Sequence, residues 1–320
     1  MIIRRSLLAA TALAAPAMAQ PRWPVRPVQL LCPWAAGGGT DAVIRIIAQL
    51  LERELGQPFN VVNRTGGSGV VGHAAIAAAA PDGYTLGMIT AEICMLHWQG
   101  LTELTYRNFT PLGLMNNDPP GVLVNAASPH RTVNALADAI KASRPGQFKA
   151  SGTGQGGIWH LALAGWLDAM GLRADHVRWV PSNGAAPAMQ DLAANGLDFT
   201  TNSVPEGRAI IDAGRARALA VMAPERLTAF PNIPTLKEAM GLDYSTGAWR
   251  GIAGPVNLPA EVVTAVGGAL RKVYDSEDYK GFLNNRGFGL TYADAAGFGR
   301  HLAAADVGLG AAMRGAGLAR

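Results

Sequence analysis

Pro33-Trp34-Ala35-Ala36-Gly37-Gly38-Gly39-Thr40-Asp41 stands between a short apolar run, Val28–Cys32, and a segment in which Val43, Ile46, Ile47, Leu50, Leu51 and Leu55 recur at helical spacing. The pattern is strand, glycine turn, helix, with Thr40 or Asp41 expected as the N-cap and Gly56 as the stop. Three glycines leave backbone N–H groups uncovered, and the helix behind them adds roughly half a unit of positive charge at its N-terminus. Such a junction seats an anion. The plainer reading is a tight turn with no ligand.

Working outward, strand and helix alternate: a strand over 59–62, a small-residue helix over 70–80 and a strand over 84–89. This is the grammar of a mostly parallel sheet covered on both faces, whose ligands bind beyond the carboxyl ends of its strands. A strand over 111–115 leads into 116–120, the most linker-like run of the chain, where a lobe boundary is expected. Beyond it the alternation resumes, with strands over 122–124, 148–151, 177–180 and 197–201 and helices over 133–142, 158–170 and 185–194. A strand over 219–222 leads back, and helices over 259–274 and 294–312 finish the chain. The expectation is a two-lobed α/β fold, each lobe a mostly parallel sheet flanked by helices. One lobe is drawn from 20–120 and 222–320, the other from 121–221. Two chain crossings imply a hinge and a ligand cleft.

The opening device recurs. Ser151-Gly152-Thr153-Gly154-Gln155-Gly156-Gly157 lies between a strand and the helix bearing His160, and Pro181-Ser182-Asn183-Gly184-Ala185 again joins a strand to a helix. Three such junctions on the same side of their sheets make a shared anion cleft. Gly67-x-Gly69-x-x-Gly72 with Glu92 twenty residues on matches the dinucleotide fingerprint in letters. Four residues, Asn63 to Gly66, nevertheless separate it from its strand, where the turn over a pyrophosphate should be immediate. Gly37-Gly38-Gly39-Thr40 lacks the lysine of a phosphate loop.

Other classes fall away on composition. The 320 residues carry a formal charge of +4; beyond residue 19 there are 25 Lys+Arg against 23 Asp+Glu, a net of +2, without the basic runs that nucleic acid requires. Ile3-Arg4-Arg5, an apolar region over 7–15 and Ala17-Met18-Ala19 read as an export signal over residues 1–19, cleaved after Ala19, by the ordinary or the twin-arginine route. A mature protein soluble outside the cytoplasm is expected. Cys32 and Cys94 permit a disulfide in that compartment, but two buried thiols are the favoured reading. Six dispersed histidines show no metal spacing, no G-x-S-x-G elbow occurs, and no catalytic residue or cofactor is expected. His160 is either a satisfied helix-face side chain or a donor into the cleft. Trp34 and Trp249 are core or pocket wall. Arg64 and Arg250 are the cations best placed to meet an anion.

The stretch 33–41 also resembles the P-F/W-x-x-G-G-x-x-D junction of the extracytoplasmic solute receptors of tripartite tricarboxylate transporters, the Bug family. Leu55-Gly56-Gln57-Pro58, Val62-Asn63-Arg64-Thr65-Gly66-Gly67-Ser68-Gly69, Ala80-Pro81-Asp82-Gly83-Tyr84, Ser151-Gly152-Thr153-Gly154 with His160-Leu161-Ala162, Val180-Pro181-Ser182-Asn183-Gly184 and Ala213-Gly214-Arg215 follow in family order. The resemblance implies a periplasmic-binding-protein-like fold that closes on a small organic anion, commonly a carboxylate, and presents it to a membrane permease. By match, Ala35, Ala36, Gly37, Gly38, Gly39 and Thr40 hold one end of the ligand, Gly152, Thr153, Gly154 and Gln155 face it, and Asn183, Gly184, Ala185 and Asn202 complete the site. Trp34, Asp41, Thr90, His160 and Arg250 are the further candidates, Arg250 because Ala248-Trp249-Arg250-Gly251 resembles members associated with tricarboxylates. Ser182-Asn183-Gly184 departs from the usual Tyr-Lys-Gly, and Glu92 places an acid where an anion is expected. The expectation is a monomeric receptor without catalytic activity. A sensor for a membrane signalling partner and an exported enzyme acting on a carboxylate are the rival readings.

Overall fold

The computed structural model describes residues 23–320; the export-signal reading of residues 1–19 lies outside the described residues. β1 (Val28–Cys32), α1 (Gly39–Leu55), β2 (Phe59–Asn63), α2 (Val70–Ala77) and β3 (Thr85–Thr90) open the fold. β1 is the parallel partner of both β2 and β3. α1 buries Val43, Ile44, Ile47, Leu50 and Leu51 on one face and ends at Gly56, whose left-handed φ of 73° glycine adopts without strain. Its N-cap is Gly38, not Thr40 or Asp41. The side chains expected to cap are otherwise engaged: the Asp41 carboxylate accepts from the Gly37 N–H and from Arg45, and the Thr40 hydroxyl accepts from Arg250.

β4 (Phe109–Asp118) runs three residues further than the sequence suggests, and the chain crosses at Pro119-Pro120, where the missing N–H groups end the ladder. The second sheet is built from β5 (Gly121–Asn125), α3 (Val133–Ala142), β6 (Lys149–Ser151), α4 (Ile158–Ala169), β7 (Arg178–Trp179), α5 (Ala185–Ala193), β8 (Phe199–Thr200), α6 (Val204–Asp212) and β9 (Ala216–Val221). The return carries α7 (Leu236–Met240). β10 (Ala248–Pro255), α8 (Ala260–Asp275), α9 (Glu277–Arg286), β11 (Leu290–Asp294) and α10 (Ala295–Gly315) complete the first sheet and its cover.

The strand orders are β11-β4-β10-β3-β1-β2 and β7-β6-β8-β5-β9. Both sheets are mixed, so parallel pairing holds for two of the five strand pairs of the first and two of the four of the second. β2-β1-β3 and β7-β6-β8 are parallel, while β10, β4 and β11 in one sheet and β5 and β9 in the other pair antiparallel. The antiparallel halves hold the strands that leave for, or return from, the other sheet. β10 has no alternating pattern because all eight of its residues are buried.

One apolar core lies between the first sheet and α1, α8 and α9, around Ile44, Ile47, Leu51, Leu270 and Tyr279. Another is continuous from the opposite face of that sheet, with Ile89, Leu114 and Phe298, into the second, with Val122, Trp159, Trp166 and Phe199. Each such large side chain contributes about 1.5–3 kcal/mol by leaving water, so the joint between the sheets is itself a stabilising interface. Cys32 and Cys94 are free, buried, and in different cores. Among the described residues no helix is long and apolar enough to cross a membrane.

Candidate functional site

α1, α4 and α5 begin at the glycine N-caps Gly38, Gly157 and Gly184, none with a side chain that caps its own helix. Gly184 sits at φ 136°, a conformation open to glycine and strained for any other residue. The first residues of all three helices line one cleft with Trp34, Thr90, Glu92, Thr153, Glu206, Ala248, Trp249 and Arg250. α1 comes from the first sheet and α4 and α5 from the second, so the cleft lies between them. The Ala35 N–H donates to the Asn183 carbonyl at 3.0 Å, the Ser68 hydroxyl to the Gln155 carbonyl at 3.2 Å, and the Gln99 amide to the Gly156 carbonyl at 3.1 Å, all across this divide.

Arg250, 2% exposed on β10, is the cation of the cleft. Its Nε donates to Thr40 at 3.0 Å, Nη1 to both Asn116 and Asp118, and Nη2 to Glu206 at 3.0 Å. Burial works against the guanidinium charge, and Asp118 and Glu206 more than offset it, so the group titrates above its ordinary value. Burial pushes the Glu206 carboxyl up although Arg250 pulls it down, because Asp118 already compensates that guanidinium. The run 116–118, which reads as linker, is therefore half of the arginine's cage: Asn116 and Asp118 are fully buried.

A second acid spans the divide in the opposite sense. Glu92, on the short 3-10 turn after β3, accepts from the Ile158 N–H at the start of α4 at 3.1 Å and from the Thr90 hydroxyl at 2.5 Å. Thr90 accepts from the Trp34 indole at 3.2 Å, and its N–H donates to His73 Nε2 at 3.2 Å. His73 therefore carries its proton on Nδ1, donated to the Gly69 carbonyl at 2.8 Å. Burial pushes Glu92 up and His73 down to about 4. The Gly67–Gly72 run is thus a packing device. A Cβ on Gly72 would stand 2.5 Å from Pro33 Cα, so its close approach serves helix against strand.

Of the residues singled out by sequence, Trp34, Ala35, Gly38, Gly39, Thr40, Thr90, Thr153, Gly184, Ala185 and Arg250 line the cleft. The others stand elsewhere. Ala36 and Gly37 form the exposed crest of the turn. Asp41 serves the turn itself; burial raises its carboxyl, but Arg45, the Gly37 N–H and Asn63 hold it below the usual range. Gly152 is covered by Trp159, Gly154 packs on Ser68, and Asn183 meets Ala35 through its carbonyl. Asn202 is buried behind, its amide 3.4 Å from the Gly152 carbonyl. Gln155 and His160 line a separate groove of about 910 Å³. His160 stacks on Trp179 at 4.6 Å and accepts the Gly156 N–H on Nδ1, which turns it away from the cleft.

Glu206 was not anticipated. Ser203-x-x-Glu206 is a capping box that signals a helix start, but nothing in its spacing points to Arg250, 44 residues away. Among the described residues no group of acidic, histidine or cysteine side chains has the arrangement of a metal site.

The family model described as "Tripartite tricarboxylate transporter family receptor" matches residues 43–308. The UPF0065 protein of the tcbD-tcbE intergenic region of Pseudomonas sp. strain P51 is 32% identical over 286 residues, 86% of this chain and 83% of that protein. BugT of Bordetella pertussis is 27% identical over 274 residues, 84% and 82% of the two chains. The structure of R. palustris Rpa4515 with adipate superposes with a TM-score of 0.85 at 28% identity, covering 93% of this chain and 99% of that one. The two mixed sheets, their double crossing and the cleft between them are those of a periplasmic binding protein, and the chain belongs to the tripartite tricarboxylate transporter receptors of the Bug type, a family of solute-binding receptors and not of enzymes.

Proposed function

We infer that the protein captures a small organic carboxylate outside the cytoplasm and delivers it, as a monomer, to the permease of a tripartite carboxylate transporter. The observation that carries this reading is the convergence of three glycine-capped helix N-termini, those of α1, α4 and α5, on one cleft. Each brings backbone N–H groups and partial positive charge to the cleft with no side chain on its own N-cap residue. That Rpa4515 was solved with adipate supports a carboxylate as the ligand class.

Residues 20–120 and 222–320 act as one lobe and 121–221 as the other, hinged where the chain crosses. The free space between the cleft walls is about 20 Å³, room for one water molecule. A ligand of several carbon atoms therefore enters only as the lobes part, and contacts from both lobes then favour the closed form that a permease recognises.

Thermal melts against mono-, di- and tricarboxylates test this. A ligand at a hundred times its Kd adds about 2.7 kcal/mol to stability, a shift of several degrees. A cooperative melt that no carboxylate moves would overturn the reading.

A further inference from the structure

Among the described residues, the charged side chains in the cleft wall are one guanidinium, Arg250, and two carboxyl groups, Glu92 and Glu206; Asp118 stands behind Arg250 on the same guanidinium. An arginine has five N–H donors. Arg250 gives one to Thr40, one each to Asn116 and Asp118, and one to Glu206, which leaves a single Nη2–H. A forked grip on a ligand carboxylate needs two. The cation that sequence reasoning assigns to a ligand is already committed to the protein's own acids.

The helix seats show the same substitution. At the start of α4 the Ile158 N–H is held by Glu92, which reaches over from the other sheet. At the start of α1 a Cβ on Gly39 would lie 2.6 Å from Glu206 Oε1, so that acid, again from the opposite sheet, lies against the first turn. What remains open is the place where α1 and α5 adjoin: a Cβ on Gly38 would stand 3.8 Å from the Ala186 nitrogen and 4.0 Å from that of Ala185. It offers donors for one carboxylate. A second carboxylate in the cleft would lie beside Glu92 or Glu206, and two such groups at contact cannot both stay ionised.

We propose that Glu92 and Glu206 select ligand charge: they occupy the seats of a second carboxylate, so that the receptor takes a ligand with one carboxylate and an amine or amide nitrogen at its other end, and disfavours di- and tricarboxylates. The nitrogen supplies further N–H donors to carboxyl oxygens that already accept from Thr90, Ile158, Ser203 and Arg250 and have a second lone pair each. This rests on the carboxylate-receptor reading above and narrows it.

The test is calorimetric titration with matched probes: succinate, its monoamide and β-alanine, then glutarate, its monoamide and γ-aminobutyrate. Each set keeps one carboxylate and exchanges the other for an amide or an amine. The wild-type chain should bind a nitrogen-bearing member at least about ten-fold more tightly than its diacid, a difference of 1.4 kcal/mol. Glu206→Gln, which keeps an oxygen acceptor for the Ser203 N–H, and Glu92→Gln, which keeps one for Ile158, should each narrow that ratio by strengthening the diacid. Wild-type preference for the diacids would overturn the proposal and leave the receptor reading intact. So would an unchanged ratio in both variants, which would place charge selection elsewhere. No binding of any probe to wild type or variant, with cooperative melting retained, would overturn both.

Discussion

Arg250 on β10 and Glu206 at the start of α6 meet at 3.0 Å, 44 residues apart in sequence and on different sheets. Both side chains are almost wholly buried, at 3% and 4% exposure, so water does not screen the pair as it screens a surface ion pair. With Asp118 on the same guanidinium the group is a buried triad of one cation and two acids, and it is removal of the guanidinium that strands buried charge.

Arg250→Met should therefore cost about 3–5 kcal/mol, because Asp118 and Glu206 lose the cation they share. Urea unfolding would show it as a lower midpoint at constant slope. Asp118→Asn in the Arg250→Met background should recover part of the loss, since it removes a stranded charge. A double variant less stable than the single one would disprove the charge argument.

Two adjacent glycines should behave differently. A Cβ on Gly38 meets only ordinary contacts, 3.5 Å to the Ala35 oxygen being the shortest, whereas on Gly39 it strikes Glu206 at 2.6 and 2.8 Å and Arg250 at 3.0 Å. Neither position has a positive φ that would strain alanine. Gly38→Ala, which sets a methyl group in the open seat between α1 and α5, should cut carboxylate affinity about ten-fold or more, near 1.4 kcal/mol, and leave the thermal midpoint of the free chain unchanged, whereas Gly39→Ala should lower that midpoint because Glu206 and Arg250 must shift. Calorimetric titration reads the first and thermal melting the second. Unchanged affinity in Gly38→Ala would move the carboxylate seat elsewhere, and an unchanged midpoint in Gly39→Ala would mean that Glu206 yields without cost.

Acid should weaken the fold through His73 and His160. Burial pushes both imidazoles down from 6.5 to about 4, and each uses a ring nitrogen as acceptor, from the Thr90 N–H and the Gly156 N–H. Between pH 6.5 and 4 the unfolded chain binds protons that the folded one refuses, so stability is full above 6.5 and falls toward 4. The loss is about 3 kcal/mol for each group. Glu92 and Glu206, pushed up by burial, act in the opposite direction. The clean measurement is therefore the difference in slope of unfolding free energy against pH between wild type and His73→Gln. The variant should be flatter over this window, and parallel slopes would mean that His73 is not neutral in the fold.

The parts of this molecule legible in sequence are those governed by local chemistry. Glycine junctions, apolar runs and helical spacing locate α1, α4 and α5 and the strands before them, because a turn and a cap are decided within a few residues. What escaped is decided across the chain. β10 is buried on every residue and has no period to betray it, and Asn116 and Asp118 look like linker because their partner, Arg250, lies more than 130 residues away. His160 sits where its glycine junction predicts, yet one turn of helix points it at Trp179 and not at the cleft. Spacing gives an element; which of its faces is toward the ligand depends on what packs behind it.

Cys32 and Cys94 should stay reduced even in an oxidising compartment. Cys32 ends β1 in the core beneath α1, with its thiol on the Trp34 carbonyl; Cys94 lies in the other core, with its thiol on the Leu302 carbonyl. Burial pushes the Cys32 thiol up to about 12 and the Cys94 thiol higher still, so at pH 8 the Cys32 thiolate is about one part in ten thousand. Iodoacetamide should label neither in the native protein at that pH and both in urea, as counted by intact mass, and a thiol reductant should leave the thermal midpoint unchanged. A native mass two daltons low, or a midpoint that drops on reduction, would mean that the two cores come close enough to be bridged, which this packing forbids.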